Sequence, residues 1–332
     1  MSTLSDKFVS FWELEEASGT RVDAVVATGN DLTDNNTVGQ AVGKVGFAAD
    51  FENDNSEYLS HANNTSLQTG DIDYSFNFWV NAESFPGQYC SLIIRDASSQ
   101  REYIIFYDSV AARFTFSVFT AGVTQNNLTL STFGALPLST WVNINLWHDT
   151  AAGTINGSVN NGATDSILTA GPLQAAATAQ FRIGSWEFFS DNRWDGLIDQ
   201  VGFAKALLTT DEKTFLYNEG NGRSWAEIEA GITVATPAIA PNGGTFFAPQ
   251  LVTLSDTTPN SSIYYTTDGS MPDDTDTLYT VPFLLSVDTT VKAIAYAPAM
   301  VTSAVATAVF DFEAASDINA GGRFVIRRRR KR

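Results

Sequence analysis

The stretch Trp141-Val142-Asn143-Ile144-Asn145-Leu146-Trp147 alternates strictly between aliphatic residues and a second set made of Trp and Asn. Successive side chains of a β-strand point to opposite faces, so this pattern predicts a strand. Val142, Ile144 and Leu146 should then lie on the face toward the core. The Trp and Asn residues share the other face, which predicts a sheet with one buried side and one more polar side.

Further short runs of β-favouring residues lie on both sides of this stretch, and turn signals separate them. The runs are 76–80, 91–94, 103–107, 112–119, 250–254, 262–266, 283–286, 290–296 and 304–312. The turn signals are Pro86-Gly87, Gly153, Asn156-Gly157 and Asn161-Gly162. Short strands at this spacing predict an all-β chain built from sandwiches or jelly rolls. One short helix is expected at Thr210 to Tyr217, with Thr209 or Thr210 as its N-cap.

Length and composition predict two globular domains. The chain has 332 residues, of which 44% are hydrophobic and 17% charged, so it can bury a substantial core. A single cysteine, Cys90, excludes an intrachain disulfide, and its apolar neighbours predict a buried thiol. The first residues show no basic segment followed by an apolar run, so no secretory signal is expected. No run reaches about 18 apolar residues, so no membrane span is expected.

A second unit is predicted after Gly231. The Pro- and Ala-rich stretch 235–241 is typical of a linker that continues into a strand. We therefore expect a jelly roll over residues 1–232, an immunoglobulin-like sandwich over 233–313 and a basic tail over 314–332. A unit of about 80 residues is large enough for a small sandwich without disulfides.

A series of motifs in the first unit, taken in order, resembles a laminin-G-like domain of the concanavalin A-like type. The opening strand is Phe11-Trp12-Glu13-Leu14-Glu15, and the following strand pair lies at 47–51 and 75–80. The closing part consists of Phe181-Arg182-Ile183-Gly184, Trp194-Asp195-Gly196-Leu197-Ile198-Asp199 and Tyr217-Asn218-Glu219-Gly220. The likeness covers residues 5 to 230 and implies a concanavalin A-like jelly-roll sandwich.

The second unit resembles the immunoglobulin-like C-terminal domain of chitobiases and β-hexosaminidases. The resemblance rests on Ile263-Tyr264-Tyr265-Thr266-Thr267-Asp268-Gly269-Ser270-Met271-Pro272 and on Val291-Lys292-Ala293-Ile294-Ala295-Tyr296. In the first of these, a strand of Tyr and Thr residues leads into an Asp-Gly turn. The likeness implies a small immunoglobulin-like β-sandwich over Pro237 to Phe312.

No motif in the chain predicts catalysis. Some jelly rolls of this type are glycoside hydrolases, which need paired carboxylates at one site. Glu13, Glu15 and Glu16 come nearest, but the opening strand is not where such hydrolases carry their catalytic motif. His61 and His148 lie in polar segments at strand ends, and no G-x-S-x-G turn supplies a nucleophile. We therefore expect a protein that is not an enzyme and requires no cofactor.

A structural Ca²⁺ is the metal site that the resemblance implies, because jelly rolls of this family often hold one. Carboxylate oxygens are the ligands that Ca²⁺ prefers. The candidate ligands are Asp23 in the early loop and Asp199 in the strand Ile198-Asp199-Gln200. The alternative is that both carboxylates are solvated or hydrogen-bonded by the chain itself.

Four aromatic residues cluster in the segment 185–194. They are Trp186, Phe188, Phe189 and Trp194. Aromatic faces flanked by amides and acids are typical of carbohydrate sites, so these four are candidate ligand-binding residues. Two alternatives stay open, because the same rings could pack beneath the loop or contact a neighbouring protein subunit.

Basic residues are concentrated in the tail. The net charge is -18, yet seven of the 19 Lys and Arg residues lie in the last ten positions. The expected partner-anchoring residues are Arg323, Phe324, Val325, Ile326, Arg327, Arg328, Arg329, Arg330, Lys331 and Arg332. Arg outnumbers Lys six to one there, which favours bidentate contacts with carboxylates or phosphates. The apolar trio 324–326 has the character of a strand that adds to the edge of a partner's sheet.

Adhesive domains of the exterior type, without disulfides and with a basic tail, together predict a bacteriophage protein on the virion surface. Its roles would be capsid decoration or a fibre or tail-associated component. In this interpretation the chain is oligomeric or multi-copy, the tail binds other virion proteins, and the β domains face host-surface glycans. The alternatives are a secreted carbohydrate-binding or adhesion protein and a glycoside hydrolase with a dispersed active site.

Overall fold

A computed structural model describes residues 3–97, 100–121, 124–175, 178–186, 192–231, 233–258, 260–297 and 300–313. Residues 2–230 form one compact unit, and the residues from 231 onward form a second. The division between Ala230 and Gly231 lies two residues before the boundary expected from the linker composition.

The first unit is a sandwich of two antiparallel β-sheets. Its strands are β1 Phe8–Trp12, β2 Thr33–Asn35, β3 Gly39–Val42, β4 Phe47–Phe51, β5 Tyr58–His61, β6 Tyr74–Ala82, β7 Tyr89–Ala97, β8 Gln100–Asp108, β9 Arg113–Phe119, β10 Gln125–Thr129, β11 Val142–Asp149, β12 Thr154–Val159, β13 Asp165–Leu168, β14 Gln180–Ile183 and β15 Gly196–Ala204. The eight-stranded sheet has the order β13-β12-β11-β6-β15-β4-β3, with β1 also paired to β15. The seven-stranded sheet has the order β10-β9-β8-β7-β14-β5-β2. This architecture confirms the predicted all-β jelly-roll class.

The core lies between the two sheets and follows the period-two pattern of the sequence. Val142, Ile144 and Leu146 of β11 are buried in it, as their alternation predicts. Cys90 of β7 also lies in this core and is completely buried. The predicted buried thiol is therefore confirmed, and burial raises its pKa to about 11.

One predicted turn signal is wrong. Asn156-Gly157 lies inside β12, and the reversal comes later, at Asn160 and Asn161, which both have positive φ. Gly157 is needed for packing, since a Cβ there would approach Leu130 Cδ2 to 2.5 Å. The glycine in this pair therefore allows a close contact within the core and does not mark a turn.

Three α-helices are described in the first unit, and α2 closes the outer face of the eight-stranded sheet. They are α1 Leu4–Lys7, α2 Thr210–Tyr217 and α3 Trp225–Ala230. Of the two predicted N-cap candidates, Thr209 caps α2, and it forms a capping box with Glu212. Lys213 Nζ lies 3.5 Å from the Trp147 ring centroid, and Tyr217 stacks on Trp79. None of the described helices is long and apolar enough to span a membrane.

An asparagine network lies on this covered face. Asn77 Nδ2 donates to Asn145 Oδ1 at 2.8 Å, and Asn145 Nδ2 donates to Asn143 Oδ1 at 2.8 Å. Asn143 Nδ2 in turn donates to the carbonyl of Phe78. All three side chains are buried, so their amides must be satisfied within the protein.

The second unit is a small sandwich of two sheets. Its strands are β16 Ala238–Ala240, β17 Gly244–Phe246, β18 Gln250–Ser255, β19 Ser262–Thr266, β20 Thr277–Leu278, β21 Phe283–Leu285, β22 Thr289–Tyr296 and β23 Ala306–Phe312. They form a three-stranded sheet, β16-β18-β21, and a five-stranded sheet, β17-β23-β22-β19-β20. Val252, Val291 and Phe310 are buried at the centre of its core.

The asparagine network should contribute measurably to stability. We expect Asn143→Ala to lower the free energy of unfolding of the first unit by about 1–3 kcal/mol, because the Asn77 and Asn145 amides lose a buried acceptor. Urea denaturation followed by tryptophan fluorescence measures this. Asn221→Ala, at an exposed position, is the control and should stay within about 0.5 kcal/mol of the parent. Equal effects of the two substitutions would contradict a structural role for the network.

Candidate functional site

The outer face of the seven-stranded sheet carries the candidate site. Ile94 of β7, Ile104 of β8 and Phe119 of β9 form a small apolar cluster there, separate from the main core. Trp186 and Phe106, both half-buried, pack against this cluster. The indole of Trp186 therefore lies on the outside of the sandwich, with part of its surface open to solvent.

Trp186 is held in place by a polar contact as well as by packing. It follows β14, where Ser185 and Arg193 form an isolated β-bridge. Its Nε1 donates a hydrogen bond of 3.0 Å to Oδ2 of Asp96 at the end of β7. A hydrogen bond at one edge and apolar packing on one face fix the orientation of the ring.

Two arginines belong to the same sheet. Arg101 Nε is 3.6 Å from Asp96 Oδ1, and its guanidinium lies over the Phe119 ring at 5.7 Å. Arg182 of β14 is in register with Ile94, and its guanidinium lies over the Tyr58 ring at 5.0 Å. Guanidinium groups stacked on rings are ordered while keeping donors directed outward.

This arrangement has the chemistry of a polar-ligand surface. We call Tyr58, Asp96, Arg101, Arg182 and Trp186 the Trp186 face. An aromatic ring offers an apolar surface to the C–H face of a sugar, and neighbouring guanidinium and carboxyl groups hydrogen-bond to hydroxyls. Of these five residues, the sequence pattern predicts only Trp186. The outward direction of Arg182 follows from the burial of Phe181 and Ile183 on either side of it, so alternation within β14 could have found it.

The four aromatic candidates of the segment 185–194 do not lie together on one exposed surface in the described structure. Trp194 is completely buried in the core between the sheets, and its backbone N–H donates to the carbonyl of Gly184. It presents no ring face to a ligand, so the expectation that Trp194 forms part of an exposed platform is wrong for this residue. Phe188 and Phe189 lie outside the described residues, as do the tail residues Arg323 to Arg332.

Asp23 does not have the geometry of a calcium ligand. Its Oδ1 accepts hydrogen bonds of 3.0 Å from the N–H groups of Phe11 and Val25. Its Oδ2 accepts a bond of 2.8 Å from Thr28 Oγ1. The carboxylate thus joins the early loop to β1, which matches the alternative of a carboxylate hydrogen-bonded by the chain.

Asp199 is completely buried on β15 and binds the turn between β3 and β4. Its Oδ2 accepts hydrogen bonds from the N–H groups of Lys44 at 2.7 Å and Val45 at 3.0 Å. Its Oδ1 has no hydrogen-bond partner among the described residues. Burial raises the pKa of Asp199 to about 8, against the lowering effect of the two backbone bonds. The charge of Glu15 raises it further.

A different group of carboxylates comes together at the neighbouring strand ends. Oxygens of Asp50, Glu52 and Glu83 lie within 4.8 Å of one another, the one group of this kind among the described residues. Burial raises the pKa of Asp50, and the charge of Asp195 adds to the effect. The structural Ca²⁺ stays a prediction, and the surroundings of Asp23 and Asp199 do not favour those two residues as its ligands.

The opening-strand carboxylates accept hydrogen bonds from the protein's own backbone. Glu13 Oε1 accepts from the N–H of Trp225, and Glu16 Oε1 accepts from that of Val22. Glu15 Oε2 accepts from the N–H of Phe47. Each of the three thus binds a different part of the backbone.

The histidines are likewise held by backbone contacts. His148 is buried, and its Nδ1 donates to the carbonyl of Ile72 at 2.8 Å. His61 contacts the carbonyl of Asp31 in the same way. Neither ring is arranged with a serine and a carboxylate as a catalytic triad would require among the described residues.

Comparison with protein families gives one match in each unit. The model described as the concanavalin A-like lectin/glucanases superfamily matches residues 53–212. The model described as the chitobiase/beta-hexosaminidase C-terminal domain matches residues 241–307. Part of the first unit is therefore similar to the concanavalin A-like superfamily, and part of the second unit is similar to the chitobiase-type C-terminal domain. No curated protein sequence matches the chain.

Solved structures share the fold at low identity. The binding domain of Paraclostridial Mosquitocidal Protein 1 matches with a TM-score of 0.55 and 13% identity, over 65% of this chain and 53% of that one. The chain thus spans about half the length of that structure. The binding domain of botulinum neurotoxin serotype G matches with a TM-score of 0.51 and 11% identity, over 87% of this chain and 72% of that one. At these identities the likeness concerns the fold alone.

The raised pKa of Asp199 gives stability a defined pH dependence. Between pH 3.8 and about 8 the folded protein retains a proton that the unfolded chain releases, so the free energy of unfolding falls as pH rises. In Asp199→Asn, the free energy of unfolding should fall less steeply with pH than in the parent, by up to about 1.4 kcal/mol per pH unit. The variant should keep the fold, because an amide oxygen still accepts hydrogen bonds from the two N–H groups.

Urea denaturation from pH 5 to pH 8 measures the difference between parent and variant. The exposed Asp54→Asn substitution is the control for the loss of one carboxyl group and should follow the parent. Parallel curves for the parent and Asp199→Asn would show that the buried carboxyl does not titrate in this range.

Proposed function

We propose that the first unit binds glycans on the Trp186 face and that the protein acts by recognition, without catalysing a reaction. The observation that carries the proposal is the half-buried Trp186 indole, oriented by Asp96, on a sheet face that also carries Arg101 and Arg182. A fixed aromatic ring beside ordered hydrogen-bonding groups is the usual composition of a sugar site.

The two outer faces of the sandwich differ in a way that supports this choice. On the eight-stranded sheet, Tyr217 of α2 covers Trp79, and Lys213 covers Trp147. Those rings are occupied by the protein's own side chains. On the seven-stranded sheet, Trp186 packs on the apolar cluster and donates to Asp96. The family description names lectins and glucanases, and both kinds of protein bind sugars.

The absence of catalysis is part of the proposal. Glycoside hydrolysis needs a carboxylic acid and a second carboxylate facing one sugar bond. The opening-strand carboxylates Glu13, Glu15 and Glu16 accept hydrogen bonds from three different backbone N–H groups, which supports a structural role. Asp96, the carboxylate of the Trp186 face, binds Trp186 and Arg101.

The carbohydrate-binding or adhesion role, which the sequence offers as an alternative to a virion component, is therefore the one that we put forward. Location on a virion, contact with other virion proteins and a multi-copy assembly stay predictions from the sequence. Deletion of Arg323 to Arg332 tests them, because a tail-anchored virion protein should lose incorporation into particles while both units stay folded.

Glycan binding should depend on Trp186. We expect the full chain to bind one class of oligosaccharide on a glycan array, and Trp186→Ala to weaken that binding about tenfold or more, a loss of roughly 1.4 kcal/mol. Arg182→Ala should weaken it as well, because a hydrogen-bond donor to the ligand is lost. Isothermal titration with the best array ligand measures both effects.

Trp147→Ala is the matched control, since it removes a half-buried tryptophan from the opposite outer face. It should leave the affinity unchanged. Thermal unfolding of all three variants separates loss of binding from loss of fold. Absence of binding across the array, or equal losses from Trp147→Ala and Trp186→Ala, would refute the proposal.

A further inference from the structure

Exposed apolar side chains are concentrated in the second unit. Nine of the 17 large hydrophobic residues that are exposed in the described chain lie between residues 233 and 313. Leu251 of β18 and Leu284 of β21 are direct partners across the three-stranded sheet and are 58% and 65% exposed. Single exposed hydrophobic residues are ordinary, but a paired set on one sheet face is a patch that favours a covering partner.

Two further exposed residues extend this patch at one end of the unit. Phe247 precedes β18 and Val287 follows β21, and both are more than 65% exposed. They lie at the same end because Gln250 pairs with Leu285. We call Phe247, Leu251, Leu284 and Val287 the Leu251 strip.

The described chain leaves the second unit beside this strip. The N–H of Phe312 donates to Asp288 Oδ1 at 2.7 Å, next to Val287. The N–H of Glu313 donates to the carbonyl of Phe246 at 2.9 Å, next to Phe247. The segment after Glu313 therefore starts between the two outer members of the strip.

Charge favours contact between that segment and this unit. Residues 233–313 contain eight carboxylates and one basic residue, Lys292. Residues 314–332 contain one carboxylate and seven basic residues. Asp288, Asp311 and Glu313 are exposed at the end where the chain leaves. Arg side chains form bidentate contacts with such carboxylates.

The sequence after Glu313 also has suitable length and polarity. Residues 314–322 are mainly small, and nine residues reach at most about 30 Å when extended. A tether of about that length gives an attached ligand an effective concentration in the millimolar range. The next residues, Phe324-Val325-Ile326, are apolar, and arginines lie on both sides of them.

We propose that residues 323–332 dock on the Leu251 strip of their own unit. The apolar trio 324–326 covers Leu251 and Leu284, and the arginines bind Asp288, Asp311 and Glu313. The basic tail is then engaged within the chain, and an external anionic partner must displace it before binding. This proposal is independent of the glycan site, which lies in the first unit.

Trypsin cleavage at Arg323 and Arg327 in the full chain tests the docking. Cleavage follows the population of the undocked tail when docking is fast, so we expect the double variant Leu251→Ser/Leu284→Ser to be cut about tenfold faster than the parent. Phe324→Ser should have the same effect, and combining it with the double variant should add nothing further. Mass spectrometry of the released peptides gives the rates.

Met271→Ser and Leu278→Ser are the controls, since they remove exposed apolar residues elsewhere in the same unit. They should be cut at the parent's rate, and unchanged melting temperatures exclude unfolding. A parent cut as fast as the double variant overturns the proposal. So does protection that grows with protein concentration, which assigns the strip to the tail of a second copy. If the tail of the parent loses its protection from trypsin after a high-salt wash, the tail was bound to a polyanion, and this result also overturns the proposal.

Discussion

Aromatic packing between the two sheets is the interaction on which the first unit depends. Phe76 of β6 lies 5.1 Å from Tyr103 of the opposite sheet, and Trp12 of β1 stacks on Phe181 of β14 at 5.0 Å. Burial of each such side chain contributes about 1.5–3 kcal/mol. Because every strand points every second side chain into this layer, its other side chains lie on the outer face of the sheet. The outer faces are therefore where the two sheets can differ.

The two outer faces of the sandwich carry different layers of side chains, one polar and one apolar. The eight-stranded sheet carries buried asparagines beneath α2, where each amide finds a partner within the fold. The seven-stranded sheet carries Ile94 and Ile104 beneath Trp186. A polar layer under a helix fixes one arrangement, since any shift leaves buried amides unpaired. An apolar layer has no such requirement, because its side chains have no hydrogen bonds to lose.

Period-two alternation is the part of the structure that sequence predicts best. It identified the core face of β11 and the short strands of both units, because strand geometry permits only one assignment of sides. The N-cap of α2 was predicted to within one residue, Thr209 or Thr210, since capping acts within one helical turn. Asn156-Gly157 failed as a turn signal because the requirement for glycine came from Leu130, distant in sequence.

The environments of the candidate site residues were less predictable, because contacts with residues distant in sequence decide them. Trp186 and Trp194 lie in one short aromatic segment, yet one lies on the outside and the other in the core. Asp199 gave no local sign that the N–H groups of Lys44 and Val45, about 155 residues earlier, would bind it. Contacts between segments far apart in sequence decide these environments, and single-residue patterns do not contain them.

The lone thiol has a practical consequence. Cys90 is completely enclosed in the core and its pKa is about 11, so almost no thiolate is present at neutral pH and no reagent can reach it in the folded state. A cysteine introduced at the surface would be the one that reacts with a maleimide dye, without removal of the native residue. The rate at which Cys90 itself is alkylated would then measure how often the sandwich opens and its two sheets separate.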